Sequence, residues 1–337
     1  MKKTILILFA ACFLALTPNM TKAQGLDFDS FLEAGIDDAS LLLESYLQPA
    51  FEGFGFGMNS GWYNTAKPHK FLGFDISGSI SLARVPDSNQ FFTLPTGLTN
   101  VSLTNPSDTR RLPTIFGPNL GADDLPELRF TDDNGDEIIR ISAPTGLGID
   151  EDIVPFNAVP VPMIQLGLGI FKGTELKLRY IPEQDFEGDG GVKLFGIGVM
   201  HDVTQYLPAE KLLPFDLSVF LGYTNLESYV NIDEAAGQTA EFNANAWTVQ
   251  GVISKKVLFF TAFAGLGYSN SNVDFNMLGD YSTETSTFTD PISLNYKNAG
   301  IRTNIGVRIK LLFLTITGEY AIQEYNTLTA GVGFSFR

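Results

Sequence analysis

Residues 171–180, FKGTELKLRY, put Glu175, Lys177 and Arg179 at every second position, with Leu176, Leu178 and Tyr180 between them. A repeat of two is the side-chain period of a β-strand, whose successive residues point to opposite faces. The stretch therefore predicts a strand with one apolar face and one face charged with both signs. The same alternation returns in AGIRTNIGVRIK, where Ile301, Ile305, Val307 and Ile309 oppose Arg302, Asn304, Arg308 and Lys310. It returns again in TLTAGVGFSFR, where Leu328, Val332, Phe334 and Phe336 oppose Thr329, Gly331, Gly333 and Ser335.

The make-up of the polar face decides between architectures. A soluble β-sandwich turns that face to bulk water and carries Lys and Glu on it. Here it is mostly Gly, Ser, Thr and Asn, charged residues are only 18% of the chain, and Gly (33) and Phe (28) are abundant. Small polar side chains fit the confined wet interior of a barrel, with the apolar face toward lipid. Lys or Arg on the lipid face at mid-depth would cost about 2–4 kcal/mol each, so the charges are expected inside. The predicted luminal set is Asp75, Glu175, Lys177, Arg179, Arg302, Arg308 and Glu319. They read as an internal salt-bridge network in a narrow barrel, or as the lining of a polar path; the network suits a barrel of ten to twelve strands better, because small barrels fill with side chains.

The fold class expected is all-β: a transmembrane antiparallel up-and-down barrel of about twelve strands, within a range of ten to fourteen, with a short N-terminal helical plug. Tight connections at Lys172-Gly173, Lys255-Lys256 and Lys310-Leu311 alternate with longer ones, as in outer-membrane barrels with short periplasmic turns and longer outer loops. Ten strands follow from Lys70 onward. Phe51–Tyr63, with Phe54, Phe56, Met58 and Trp62 alternating, reads as one more, and ELRFTDDNGDEIIRIS supplies the best candidate for the twelfth. The rest of 86–160 reads as a large loop insert in a barrel spanning 51–337.

The N-terminus reads as a secretory signal over 1–23: Lys2 and Lys3, an apolar run, then Thr21-Lys22-Ala23 before Gln24. Lipidation at Cys12, the single cysteine, is the alternative. Localisation in the outer membrane of a Gram-negative bacterium follows, with membrane lipid as the expected partner. A net charge of −16 argues against nucleic acid. Residues 24–50 carry helical spacing at Leu32, Ile36, Leu41, Leu42 and Tyr46, ended by Pro49.

Nothing points to catalysis or to a cofactor. His69 and His201 fall at predicted strand ends without metal-ligand spacing or a nucleophile elbow. Asp132, Asp133, Asn134 and Asp136 offer enough oxygen for Ca²⁺ but lack the distal bidentate Glu, and Asn134-Gly135 between apolar runs is a hairpin turn signal. The turn is the preferred reading. Trp62, Tyr63, Tyr180, Tyr223, Trp247, Tyr268 and Tyr320 are expected in girdles at the lipid–water boundary.

The signal, helical lead-in, alternating strands and aromatic C-terminus together resemble Gram-negative outer-membrane β-barrels. DDASLLLESYLQPAFEGFGFG looks like the N-terminal plug of the long-chain fatty-acid transporter (FadL-like) family, with Asp38-Ala39-Ser40 matching its helix and Gln48-Pro49-Ala50 standing where that family has Asn-Pro-Ala. GWYNTAKPHKFLGFD and GVMHDVTQYLP look closer to an uncharacterised barrel family of the same kind of bacteria. The first resemblance implies passive transport or binding of a small hydrophobic molecule, with Asp38, Ser40 and Pro49 in a periplasmic plug. The competing expectation is a closed structural barrel displaying acidic outer loops to a partner, with the oligomeric state undefined.

Overall fold

A computed structural model describes Leu32 and residues 35–132, 134–148, 157–186, 189–208, 213–233, 236–283 and 286–336. The expected signal peptide lies outside them. Helix α1 (Ile36–Met58) leads into β1 (Phe74–Arg84). An insert follows with β2 (Phe91–Phe92), β3 (Val101–Leu103), β4 (Leu112–Pro113), β5 (Glu127–Thr131) and β6 (Glu137–Ser142). The later strands are β7 (Ala158–Gly169), β8 (Thr174–Asp185), β9 (Gly190–Asp202), β10 (Asp216–Asp233), β11 (Gln238–Val257) and β12 (Phe260–Leu278). After a small hairpin, β13 (Asp280–Ser282) and β14 (Thr287–Thr289), come β15 (Ile292–Leu311), β16 (Leu314–Ile322) and β17 (Thr327–Phe336).

Ten of these close into an antiparallel barrel, in the order β1-β17-β16-β15-β12-β11-β10-β9-β8-β7. Phe74 of β1 pairs with Phe336 on one side and Leu168 on the other, which shuts the ring. The count is ten, not the expected twelve, because two segments assigned to the wall lie elsewhere. Residues 127–142 form the β5–β6 hairpin, which pairs with β3 in a separate three-stranded sheet of the insert. Residues 51–58 are helical, and the chain after them stays inside the barrel.

One mouth carries the tight turns and the C-terminal end of β17. The other carries the alternate connections and the insert between β1 and β7, whose described residues 85–148 form a cap. Near the tight-turn mouth the wall alternates as expected: Leu176, Leu178, Ile301, Ile305 and Val332 are exposed while Glu175, Lys177, Arg179, Arg302 and Asn304 are buried. Toward the cap the polarity reverses. On β11 and β12, Phe242, Ala244, Val273 and Met277 point inward and are buried, while Asn243, Asn245, Asn272 and Asp274 point outward. Outward amides link across strands: Asn295 Nδ2 donates to Asn272 Oδ1 at 2.9 Å, and Asn225 Nδ2 to Asn245 Oδ1 at 3.0 Å. The changeover runs through Tyr223, Trp247 and Tyr268, with the last two rings 5.8 Å apart.

This reversal corrects the loop assignments. β11 and β15 are each 20 residues long, about twice the 9–11 that a tilted strand needs to cross a bilayer. Several of the longer connections expected between the tight turns are largely strand: β10 runs to Asp233, β11 starts at Gln238 and β12 runs to Leu278.

Helix α1 runs through the lumen. Its end, residues 53–58, is apolar all round, with Phe54, Phe56 and Met58 buried, which is the pattern of a helix enclosed on every side. Phe51 packs on Phe242, Phe275 and Tyr296, and Phe56 stacks on Tyr325. Gly53, Gly55 and Gly57 are the points of closest approach to the wall: a Cβ there would run into Val159, Ser271 and Val161 respectively. Pro49 does not end the helix. A proline inside a helix costs roughly 3 kcal/mol, and packing of the following turns against the wall outweighs that local stop signal. The alternating Phe and Gly that resemble a strand are instead the fit of a helix inside a ring.

Candidate functional site

The site that this fold builds is the occupied lumen. The barrel encloses the end of α1 and the coil 59–69, and wall residues from most strands grip that chain.

Arg179 of β8 is the centre of the grip. It is fully buried, donates from Nη1 to Met58 O at 2.7 Å and from Nη2 to Ser60 O at 2.6 Å, and lies over the Trp62 ring at 3.6 Å. The last carbonyls of a helix lack intrahelical donors and sit at the negative end of its dipole, so a guanidinium fork is matched to them in geometry and in charge. Gln165 of β7 completes the contact, accepting from Arg179 Nε at 3.2 Å and donating to Trp62 O at 3.0 Å.

Below this clamp the coil is held residue by residue. Asn59 Nδ2 donates to Asn270 O at 3.1 Å. Tyr63 Oη lies 2.6 Å from Gln250 Oε1 and 2.8 Å from Asn304 Oδ1. Arg308 Nη1 donates to Asn64 Oδ1 at 2.8 Å. Ala66 N donates to Ser254 Oγ, and Ser218 Oγ donates to Ala66 O. A cavity of about 20 Å³ beside Tyr63, Asn64 and Glu319 has room for about one water.

Two charged clusters brace the wall around it. Arg302 meets Glu319 at 2.6 Å and Gln323 at 2.8 Å. At the tight-turn mouth, Glu175 accepts from the His69 backbone N–H at 2.8 Å and lies 3.0 Å from its Nδ1, while Lys177 Nζ reaches the other carboxylate oxygen at 2.5 Å. Asp75 stands 3.5 Å from the same His69 nitrogen, and His69 Nε2 meets Ser335 Oγ at 3.1 Å. His69, Asp75 and Glu175 bring ligand atoms within 4.8 Å of one another, but Lys177 already balances Glu175 and Lys310 approaches Ser335, so the chemistry is that of a latch rather than a cation site.

All seven residues expected inside face the interior, Arg308 being half-buried. They form separate clusters: Arg179 touches the plug chain, Arg302 pairs with Glu319, and Glu175 with Lys177 and His69. Of the expected plug residues, Asp38 accepts from the backbone N–H groups of Thr99, Asn100 and Val101 in the cap, Ser40 is half-buried on the same helix, and Pro49 is internal to it. The plug is thus luminal, with its start at the cap, and its helix runs past residue 50 to Met58.

Trp62 and Tyr63 are corrected from girdle to lumen, at 1% and 5% exposure, whereas Tyr180, Tyr223, Trp247, Tyr268 and Tyr320 point outward. Sequence reasoning missed Gln165, Gln250, Asn304 and His69, whose roles depend on which coil residue stops opposite them. His201 sits at the tight-turn mouth between Thr174 Oγ1 and Tyr206 Oη. In the Asp132 turn, hydrogen bonds from the Asn134 side chain and from the Asp136 backbone hold that carboxyl below the usual range, and Gly135 takes the left-handed conformation at φ 86°. Asp133 lies outside the described residues.

Among solved structures the chain is similar to Ail, the attachment invasion locus protein of Yersinia pestis, at 10% identity over 79% of this chain and 99% of that one, TM-score 0.26. It is also similar to the translocator domain of autotransporter NalP from Neisseria meningitidis, at 8% identity over 80% and 90% of the two chains, TM-score 0.30. No curated protein matches the sequence. A family model does match, over residues 1–336, and by it the chain belongs to the family of unknown function DUF6588.

Proposed function

We propose that this protein is an outer-membrane barrel working as a closed scaffold, which holds an acid-rich cap at the cell surface for a partner with a basic docking face. Membrane insertion is supported by the collar of exposed Leu, Ile, Val and Phe on every wall strand, bounded by outward Tyr and Trp. The observation that carries the closed reading is the Arg179 clamp: the lumen holds the protein's own helix and coil, fixed by buried hydrogen bonds from several strands. Passage of a small hydrophobic molecule through the lumen would require that chain to leave.

Single-channel recording of the refolded protein in planar bilayers tests this. The wild type is expected to be silent, and Arg179→Met to give intermittent openings as the plug loosens. Steady conductance from the wild type would replace the scaffold with a pore.

A further inference from the structure

The path of the chain through the barrel has a direction, and it places the start of α1. Asp38 is bonded to cap residues 99–101, Tyr46 Oη donates to Thr145 O and Tyr46 O accepts from Ile115 N, so the first turns of α1 lie against the cap. Further along, Tyr325 from the β16–β17 connection reaches Glu52, and Arg179 at mid-wall reaches Met58 and Ser60. Ala66 then meets Ser254 and Ser218, and His69 meets Glu175 beside the tight turns. Contacts thus run in order from the cap mouth to the tight-turn mouth. The 23 residues of α1 alone span about 34 Å at 1.5 Å per residue, comparable with a bilayer core.

We infer that the chain enters its own barrel from the cap side, so that the start of α1 stands on the same side of the membrane as the cap, opposite the start of β1 and the end of β17. That this side is the cell exterior rests on the outer-membrane reading above; that the helix start and the cap share a side rests on geometry alone. The lumen is taken by α1 and the coil, so both have to be in place before β1 meets β17, because that seam closes around them.

Three single thiols in a Cys12→Ala background test this in intact cells with a membrane-impermeant maleimide: Asp37→Cys at the exposed start of α1, Ser88→Cys in the cap and Lys256→Cys beside a tight turn, each at an exposed position. Positions 37 and 88 are expected to label in intact cells, and position 256 only after lysis. Labelling at 88 but not at 37 until lysis would overturn the threaded path while leaving the outer-membrane reading in place. If 37 and 88 are both silent in intact cells and 256 labels, the orientation fails but the shared side of cap and helix start stands.

Discussion

The Arg179 guanidinium covers the face of Trp62 at 3.6 Å while its nitrogens hold the carbonyls of Met58 and Ser60 on either side of the helix end. One wall side chain thus fixes where the helix stops and where the next aromatic begins. Arg179→Met removes both donors and leaves two buried carbonyls unsatisfied, an expected loss of about 2–4 kcal/mol. Arg179→Lys keeps the charge but not the fork or the stacking, and should lie between. Urea midpoints read from heat-modifiable gel mobility measure this; a methionine variant with the wild-type midpoint would remove the clamp from the account.

Arg302 and Glu319 form a buried pair at 2.6 Å. Removing one partner strands a charge in a poorly hydrated interior, so Arg302→Met and Glu319→Met are each expected to cost roughly 3–5 kcal/mol. The double variant should recover much of that loss, because the surviving charge is gone. Additive losses in the double-mutant cycle would show that the two side chains act independently.

The polarity reversal along the strands makes a positional prediction. Leu178→Arg places a cation on the apolar collar and is expected to cost about 2–4 kcal/mol in lipid. Asn245→Arg, outward on the cap side of Trp247, should change stability little. Reversible unfolding in lipid vesicles compares the two; equal costs would move the boundary of the collar.

Three cap carboxylates are held below their ordinary range by hydrogen bonds: Asp108 by Arg110, Asp132 by Asn134 and Glu137 by Arg140. A depressed carboxylate adds stability that is present above its unfolded pKa of about 4 and is lost as pH falls through the folded value. The cap should therefore become more open to proteolysis as pH falls below about 4, through a modest effect because the groups are solvent-screened. Pepsin cleavage within 86–157 that does not change over that range would separate cap stability from these groups.

Much of the wall was legible because Glu175, Lys177 and Arg179 alternate with Leu176, Leu178 and Tyr180 over a length that crosses a membrane. The strand extensions were not. On β12 the large apolar side chains move from even positions, Leu266 and Tyr268, to odd ones, Val273, Phe275 and Met277, with no break in backbone pairing. A change of parity reads as the end of a strand, although it marks only a change of surroundings. The helix was hidden for a related reason: Phe54, Phe56 and Met58 separated by glycines satisfy a period of two, and only the enclosing wall makes an all-round apolar helix reasonable. The latch at His69 needs the coil's exact path, which no spacing within the sequence encodes.

The same reversal of polarity acts on the molecule as a whole. Sliding the barrel inward by one or two residues would carry Asn225, Asn245 and Asn272 into hydrocarbon, and sliding it outward would lift Leu221, Val249 and Leu266 into water. In the membrane setting proposed above both displacements cost free energy, so the protein sits in a well along the membrane normal, with steep sides set by Tyr223, Trp247 and Tyr268. The cap and the start of α1 are thereby carried at a fixed height above the lipid, at a level set by the amides on the outside of the wall.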